Sequence, residues 1–310
     1  MKHIFYLALI IVSIVSSCSG SMDSLIPKSL DGKGAAKLEK TFHDGEAIAL
    51  FDKDPLLQSA LAEFGQKGIS AGTYDYGGIL IYLGLARCEN ADDAYGIYSA
   101  LTSRPRERWE YGRGEMSYRS PYLSGCSGEM VFWIFSPTNP MTYADFYRRH
   151  GERILAEFEK IRSKPGCSYH WKILPSENRF SDSIVYVKSR NIGDMEVVNA
   201  YGAAYQAKTN MAGIYVQKFD SEDEAKQRYS RHVAALAASN KTLTGFVPVP
   251  GPPLRACHWQ GKCGVWILCQ YRWMLFLLTD MPSVDYATNF IRIMFNNMLK
   301  VRNEAVPSKN

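Results

Sequence analysis

Two stretches decide the fold of this chain: Ile79-Leu80-Ile81-Tyr82-Leu83-Gly84-Leu85-Ala86 and, just after it, Asp92-Asp93-Ala94-Tyr95-Gly96-Ile97-Tyr98-Ser99. The first stretch is apolar throughout, which predicts a buried strand. A helix is predicted directly after Asn90, which is a good N-cap residue. Apolar residues then recur at helical spacing, namely Ala94, Ile97, Tyr98 and Leu101.

The same strand–helix unit recurs 131 residues further along the chain. Residues 213–219 predict a second strand, and Ser221-Glu222-Asp223-Glu224 is a capping box that begins a second helix. Five pairs match at this offset: Ala94 with Ala225, Tyr98 with Tyr229, Ser99 with Ser230, Asp92 with Asp223, and Tyr74 with Tyr205. The matches favour a duplicated unit. Two unrelated strand–helix pieces are the alternative.

The matches extend beyond this core in both directions. Leu25-Ile26-Pro27 opens the first half as Ile173-Leu174-Pro175 opens the second, and 131–135 is the expected counterpart of 265–268. Each half is predicted to close with an amphipathic helix, at 143–161 and at 286–301.

We therefore predict an α+β fold of two tandem similar units. Strands with attached helices, rather than strict βαβ alternation, favour mostly antiparallel sheets covered by helices. The first unit is assigned to 25–162, a linker to 163–172, the second unit to 173–303 and a tail to 304–310. An extra helix is predicted at 55–64 in the first unit, because Pro55 suits a first turn.

The first eighteen residues carry an export signal. After the positive start Met1-Lys2-His3, the apolar run 4–15 is too short to cross a hydrocarbon core of about 30 Å, so 1–17 is predicted as a signal peptide. Val15-Ser16-Ser17-Cys18 resembles the bacterial lipobox, which predicts lipidation of Cys18 by diacylglycerol and an amide-linked chain such as palmitate. Residues 18–24 form the tether. An ordinary secretory signal is the alternative.

This leader predicts a lipid-anchored protein of the cell envelope that faces the periplasm or the exterior. Ser19, directly after the cysteine, favours the outer membrane if the cell has two. The membrane, reached through the anchor, is therefore one predicted partner.

Composition indicates a globular chain. Its 310 residues are 46% hydrophobic and 22% charged, with 36 Lys and Arg against 31 Asp and Glu. This near balance of charge excludes an extended polyanion binder as a default, so no nucleic-acid partner is predicted.

A family resemblance appears at four places: Leu25-Ile26-Pro27, 92–99, Tyr122-Leu123-Ser124-Gly125 and Trp133. Together they are similar to an uncharacterised family of exported bacterial proteins and lipoproteins, described as a domain of unknown function. The chain departs from it at 54–78, which lacks a Gly-rich and Tyr-rich helical segment. The resemblance implies an envelope location and a duplicated fold, and it implies no catalytic residues.

Export places six further cysteines where disulfides persist: Cys88, Cys126, Cys167, Cys257, Cys263 and Cys269. Cys257 and Cys263 flank a predicted hairpin turn at Gln260-Gly261, so a disulfide across this hairpin is expected; free buried thiols are the alternative. Because no Cys-x2-Cys pair occurs, neither a metal site nor a cofactor is predicted.

Three arginines alternate beyond the first helix. Arg104, Arg106 and Arg108 share one face if this segment is extended, with Trp109 beside them, so they form a candidate site for an anion or other ligand. The alternative is a solvated connector whose charge is neutralised by neighbouring glutamates, Glu107, Glu110 and Glu115.

Two functions are compatible with these features. The first is a non-catalytic scaffold that binds an unknown ligand or envelope protein, in the groove between its two units. The alternative is an envelope hydrolase whose acid–base residues lie in the same cleft. We favour the first, because no combination of nucleophile, base and stabilising group is recognisable in the sequence.

The lipidation hypothesis is tested by Cys18→Ala. The variant lacks the thiol that the lipid-transfer enzyme alkylates, so we expect loss of lipid labelling and unprocessed or mislocalised protein. Metabolic labelling with a lipid precursor and membrane fractionation provide the measurement. Unchanged lipid labelling and membrane association in the variant would rule out the lipobox.

Overall fold

The computed structural model describes residues 22–30, 36–102, 107–111, 114–119, 121–137, 144–160, 172–180, 183–208, 210–245 and 254–304. After a short 3-10 helix, Met22–Leu25, the first unit contains the strands β1 (Ala36–His43), β2 (Gln66–Tyr76), β3 (Ile79–Cys88), β4 (Glu107–Tyr111), β5 (Gly114–Arg119), β6 (Tyr122–Ser127) and β7 (Met130–Phe135). Its helices are α1 (Asp44–Ala49), α2 (Pro55–Glu63), α3 (Ala91–Thr102) and α4 (Ala144–Lys160).

The second unit repeats this order without the two helices between its first strands. Its strands are β8 (Val185–Ile192), β9 (Met195–Ala207), β10 (Asn210–Lys218), β11 (Thr244–Gly245), β12 (Arg255–Gln260), β13 (Val265–Tyr271) and β14 (Met274–Met281). Its helices are α5 (Glu222–Ala238) and α6 (Val284–Glu304).

Each unit builds one antiparallel sheet, with seven strands in the described part of the chain. The strand order is β1-β2-β3-β7-β6-β5-β4 in the first sheet and β8-β9-β10-β14-β13-β12-β11 in the second, so counterparts occupy the same positions. The predicted α+β fold of two similar units, each an antiparallel sheet with helices, is confirmed.

The pairing register repeats as well as the strand order. Tyr74 lies opposite Ile81 in the first unit, and Tyr205 lies opposite Ala212 in the second. Both pairs are related by the offset of 131 that the sequence shows. The central hairpin and the helix that follows it are therefore equivalent residue by residue.

The expected match of 131–135 with 265–268 is wrong. Gly84 of β3 pairs with Trp133 of β7, and its counterpart Tyr215 pairs with Leu277 of β14. The counterpart of β7 is thus β14, whereas residues 265–268 lie in β13, which corresponds to β6. Both strands of that hairpin contain four consecutive apolar residues, so apolar composition does not distinguish them.

Helices cover both faces of each sheet. In the first unit α3 contributes Ala94, Ile97 and Leu101 to the core on one face. On the opposite face, α4 contributes Ile154, Leu155 and Phe158. In the second unit the corresponding faces are covered by α5, through Ala225 and Leu236, and by α6, through Phe290, Ile291 and Met294.

A buried tyrosine fixes the opening segment of each unit to its sheet. The Tyr74 hydroxyl donates to the Pro27 carbonyl at 2.8 Å, and the Tyr205 hydroxyl donates to the Pro175 carbonyl at 2.9 Å. Both side chains are 0% exposed. The shared geometry explains why Leu-Ile-Pro and Ile-Leu-Pro begin the two halves.

Each sheet also contains a large ring packed over a glycine, on different strands. In the first unit a Cβ atom at Gly84 would lie 2.2 Å from the Trp133 ring. In the second unit a Cβ atom at Gly202 would lie 2.6 Å from the Tyr215 ring. The bulky ring thus lies on β7 in the first unit but on β10, the counterpart of β3, in the second. The glycine lies on β3 in the first unit but on β9, the counterpart of β2, in the second.

The tyrosine contacts predict matched losses of stability. Tyr74→Phe and Tyr205→Phe each leave a buried carbonyl without its hydroxyl donor, so we expect each to lower the free energy of unfolding by about 1 kcal/mol. Because the sites are far apart in the fold, the double variant should lose about the sum. Chemical denaturation monitored by circular dichroism gives the values.

Tyr82→Phe is the matched control, because its ring is only half-buried and no hydrogen bond of its hydroxyl is found within the described residues. Losses no larger than that of the control would show that the hydroxyls do not fix the opening segments.

Candidate ligand-binding groove between the two units

Several residues singled out in the sequence lie outside the described part of the chain. Cys18 and its tether up to residue 21 are among them, as are Arg104 and Arg106. The backbone of Arg108 and Trp109 lies in β4, but their side chains are not described. Lipidation and the arginine site therefore stay predictions.

The expected disulfide between Cys257 and Cys263 is wrong. Cys257 lies opposite Leu268, and the last pair of this hairpin is Gln260 with Val265. The turn is closed by the Gly261 N–H, which donates to the Gly264 carbonyl at 2.8 Å. Cys263 is thus an exposed residue of the turn and Cys257 a buried residue of β12, and both thiols are free. Burial raises the pKa of the Cys257 thiol.

The two units meet along α3, and a groove of this interface lies beside that helix. It has a volume of about 590 Å³, within the usual range for ligand sites of about 300 to 1,000 Å³. The first unit contributes Leu56 and Glu63 of α2, Phe64, and Ser99 and Ala100 of α3. The second unit contributes residues 185–190 of β8.

A hydrogen bond across the interface closes one end of this groove. Ser99 of α3 accepts a hydrogen bond from the Tyr186 backbone N–H of β8 at 3.1 Å. The same hydroxyl donates to the Gly96 carbonyl of its own helix at 3.1 Å. The Ser99 hydroxyl therefore already donates one hydrogen bond and accepts another, which leaves it poorly suited to act as a nucleophile.

The N-terminus of α3 carries the charged part of the interface. Asn90 caps the helix by accepting from the Asp93 N–H at 2.8 Å, and its amide donates to the Asp93 carboxylate at 3.0 Å. From the second unit, Lys188 Nζ lies 3.4 Å from the same carboxylate, and the Tyr201 hydroxyl donates to Asp92 at 2.7 Å. These contacts fix β8 and β9 against the helix.

An aromatic cluster fills the space behind these polar contacts. Tyr201 lies 5.3 Å from Tyr95 and 5.1 Å from Tyr186, measured between ring centroids. Phe64 contacts Tyr186 at 5.9 Å. Edge and tilted contacts at these distances add to the stabilisation from burial alone, so the interface is a packed part of the core rather than a hinge.

Burial shifts the acid–base properties of this interface. It raises the pKa of the Asp93 carboxyl, and the Lys188 ammonium opposes that shift. Burial, reinforced by the negative charge of Asp93, raises the pKa of Cys88 to about 12, so this thiol is protonated at neutral pH. Burial also raises the pKa of the Tyr186 hydroxyl.

Sequence reasoning placed a groove between the units but missed the residues that line it. The available signal was α3 itself, whose residues from Asp93 to Ser99 are all buried. A helix that is apolar around its whole circumference is buried on more than one side. Its counterpart α5 buries only Ala225, His232 and Leu236, and that contrast identifies α3 as the contact between units.

No metal site is found in the part of the chain that the structure describes, since no three His, Cys, Asp or Glu side chains come together there. The hydrolase alternative stays a prediction, because no finding bears on catalysis.

The raised pKa of Asp93 gives a pH-dependent prediction. Between the ordinary aspartate pKa of about 3.9 and its raised value, the folded state holds a proton that the unfolded state has released. The contribution of Asp93 to stability therefore falls as the pH rises through this window. The side-chain amide in Asp93→Asn does not titrate, so we expect the stability of this variant relative to wild type to increase with pH there.

Denaturant unfolding of both proteins across the acidic range measures this difference. Asp223→Asn is the matched control, because its side chain is 86% exposed at the N-terminus of α5. A stability difference for Asp93→Asn that is flat with pH, or that decreases as the pH rises, would contradict the assigned cause.

Comparison with known proteins found no relative: no family model, curated protein or solved structure matches this chain.

None of the described helices is both long enough and apolar enough to cross a membrane. The similarity to an exported family therefore remains an expectation based on the residues quoted for it.

Proposed function

We propose that this protein is a lipid-anchored binding protein of the cell envelope, and that its groove between the units takes up an extended peptide segment of an envelope partner. The observation that supports this most directly is the outer edge of β8. Among the described residues, no strand pairs with that edge, because β8 is the last strand of its sheet.

The direction of the backbone groups supports strand addition. β8 and β9 keep one register from Val185 opposite Gly202 to Ile192 opposite Met195. In an antiparallel pair, successive residues direct their N–H and C=O groups to opposite edges. Tyr186 directs its N–H to Ser99, away from β9. Beyond Val187 this pattern changes, because Asn199 has φ of +47° and the Val198 N–H donates to the Gln217 side chain, away from β8. Ser189, which lies opposite Val198, therefore presents its own N–H and C=O groups to the groove.

The side chains along the groove indicate what kind of segment fits. Leu56, Phe64, Ala100 and Val187 provide apolar contacts. Arg190 is exposed, and an acidic residue of the peptide would pair with it. An extended segment gains affinity from main-chain hydrogen bonds and specificity from alternate side chains. We therefore expect a peptide that alternates apolar residues and carries one acidic side chain.

Binding is favoured over hydrolysis by the state of the polar groups. The Ser99 hydroxyl already donates one hydrogen bond and accepts another, and Lys188 is paired with the buried Asp93. A hydrolytic site needs a nucleophile and a base within hydrogen-bond reach of each other. The groove-lining residues offer backbone edges and apolar contacts instead.

The test uses the full lipid-anchored protein in its own membrane, with a benzophenone cross-linker at the exposed position Asn191. We expect adducts with a segment of another envelope protein, identified by mass spectrometry. Ser189→Pro removes one outward N–H without breaking the β8–β9 ladder. It should lower adduct yield about fivefold or more, which corresponds to roughly 1 kcal/mol.

Ser189→Ala is the matched control, because it removes the exposed hydroxyl and keeps the N–H. It should lower the yield by about twofold at most. Equal yields for Ser189→Pro and wild type would overturn strand addition. Adducts with a second copy of this chain would make the groove a dimer contact, and adducts with non-protein molecules would also overturn the proposal.

A further inference from the structure

Comparison of the two units reveals a second depression, on the sheet face that α5 only partly covers. In the first unit the chain between β1 and β2 forms α1 and α2, and Phe51, which follows α1, packs onto the sheet. The Phe51 ring lies 6.4 Å from Tyr82, 5.6 Å from Trp133 and 5.9 Å from Phe135. Phe51 is 1% exposed, so this part of the first sheet is fully covered.

The second unit lacks this cover. β8 and β9 are joined directly, with Ile192 opposite Met195. The pairing registers place Gly213 where the first unit has Tyr82, and Thr279 where it has Phe135. A depression of about 290 Å³ lies at this position.

The floor and walls of the depression differ in chemistry. The Tyr215 ring lies over Gly202 and Gly213 and, with Ala204, forms the floor. Trp266 and Met211 border it, and Met211 is 67% exposed. An aromatic floor and wall suit an apolar or aromatic group, as the packing of Phe51 on aromatic rings shows in the first unit.

Asp280 provides the negative charge at this site, and the positive charge of Arg190 also acts on the Tyr215 hydroxyl. Its carboxylate accepts a hydrogen bond from the Trp266 indole N–H at 2.9 Å. Its backbone has φ of +56°, an unusual conformation for an aspartate, in the region where the β13–β14 register shifts. Within the described residues no cationic side chain lies at ion-pair distance from Asp280.

The hydroxyl groups of the depression are already used. Ser183 donates to the Ala204 carbonyl at 3.1 Å and accepts from the Ala204 N–H at 3.0 Å. Thr279 makes the equivalent pair of bonds with the backbone of Gly213, at 3.4 and 3.2 Å. A sugar, which needs several hydrogen-bond partners, therefore fits poorly.

We propose that this depression is a binding site for a small amphipathic cation. The apolar body of the ligand lies on the Tyr215 ring and Ala204, beside Trp266, and its ammonium group contacts the Asp280 carboxylate. The aromatic rings add cation–π attraction to the charge pair. Among its lining residues this depression shares only Val185 with the groove along β8, and neither proposal depends on the other.

The experiment uses three probes with the same aromatic body: phenethylammonium, phenethyl alcohol and phenylpropionate. The indole N–H resonance of Trp266, assigned with Trp266→Phe, is followed by nuclear magnetic resonance during titration. Because this N–H donates to Asp280, it reports directly on the carboxylate. We expect a saturable shift with phenethylammonium and binding at least about tenfold tighter than for the alcohol.

Asp280→Asn keeps a residue type that tolerates positive φ and removes the charge. It should abolish the preference for the cation. Asp194→Asn, which removes an exposed carboxylate from the β8–β9 turn, is the matched control and should leave the preference unchanged. Equal binding of the three probes, absence of a saturable shift, or an unchanged preference in Asp280→Asn would each overturn the site.

Discussion

The burial of α3 on two sides is the constraint on which the architecture depends. One side of the helix contributes to the core of the first sheet, and the other contacts β8 of the second unit. Its N-terminal carboxylates are partnered by Asn90 of the same unit and, across that boundary, by Lys188 and Tyr201. Leaving a buried carboxylate without such partners is costly. The first unit is therefore completed by the second, and the two similar units form one structure.

This dependence also explains why the groove lies where it does. α3 contacts β8 through Ser99 and Tyr186, and Phe64 packs against the Tyr186 ring, while α2 lies across the groove from the rest of the strand. The contact that joins the units therefore leaves the rest of the β8 edge accessible. Exposed strand edges are usually protected in proteins, often by charged side chains such as those of Lys188 and Arg190.

The sequence predicted the repeat because an offset of 131 preserves both apolar pattern and key tyrosines. It predicted the closing helices to within a few residues, because their amphipathic pattern is strong. It failed where local pattern carries no long-range information. β13 and β14 are similarly apolar, so composition did not show which of them is the counterpart of β7. The turn before Val265 was also misplaced, which produced the wrong cysteine pairing. The groove residues on β8 are unremarkable in sequence, and only tertiary packing brings them to α3.

The exchange of ring and glycine between the two sheets has a consequence for the history of the chain. In one half Trp133 occupies the space that Gly84 leaves, and in the other Tyr215 occupies the space that Gly202 leaves. Copying β7 into the place of β14 would set an indole against the Tyr215 ring, and the reverse copy would leave a void over Gly84. Interiors tolerate neither change well. Recombination between the two similar halves would therefore yield misfolded products, which keeps the sequences of the halves distinct.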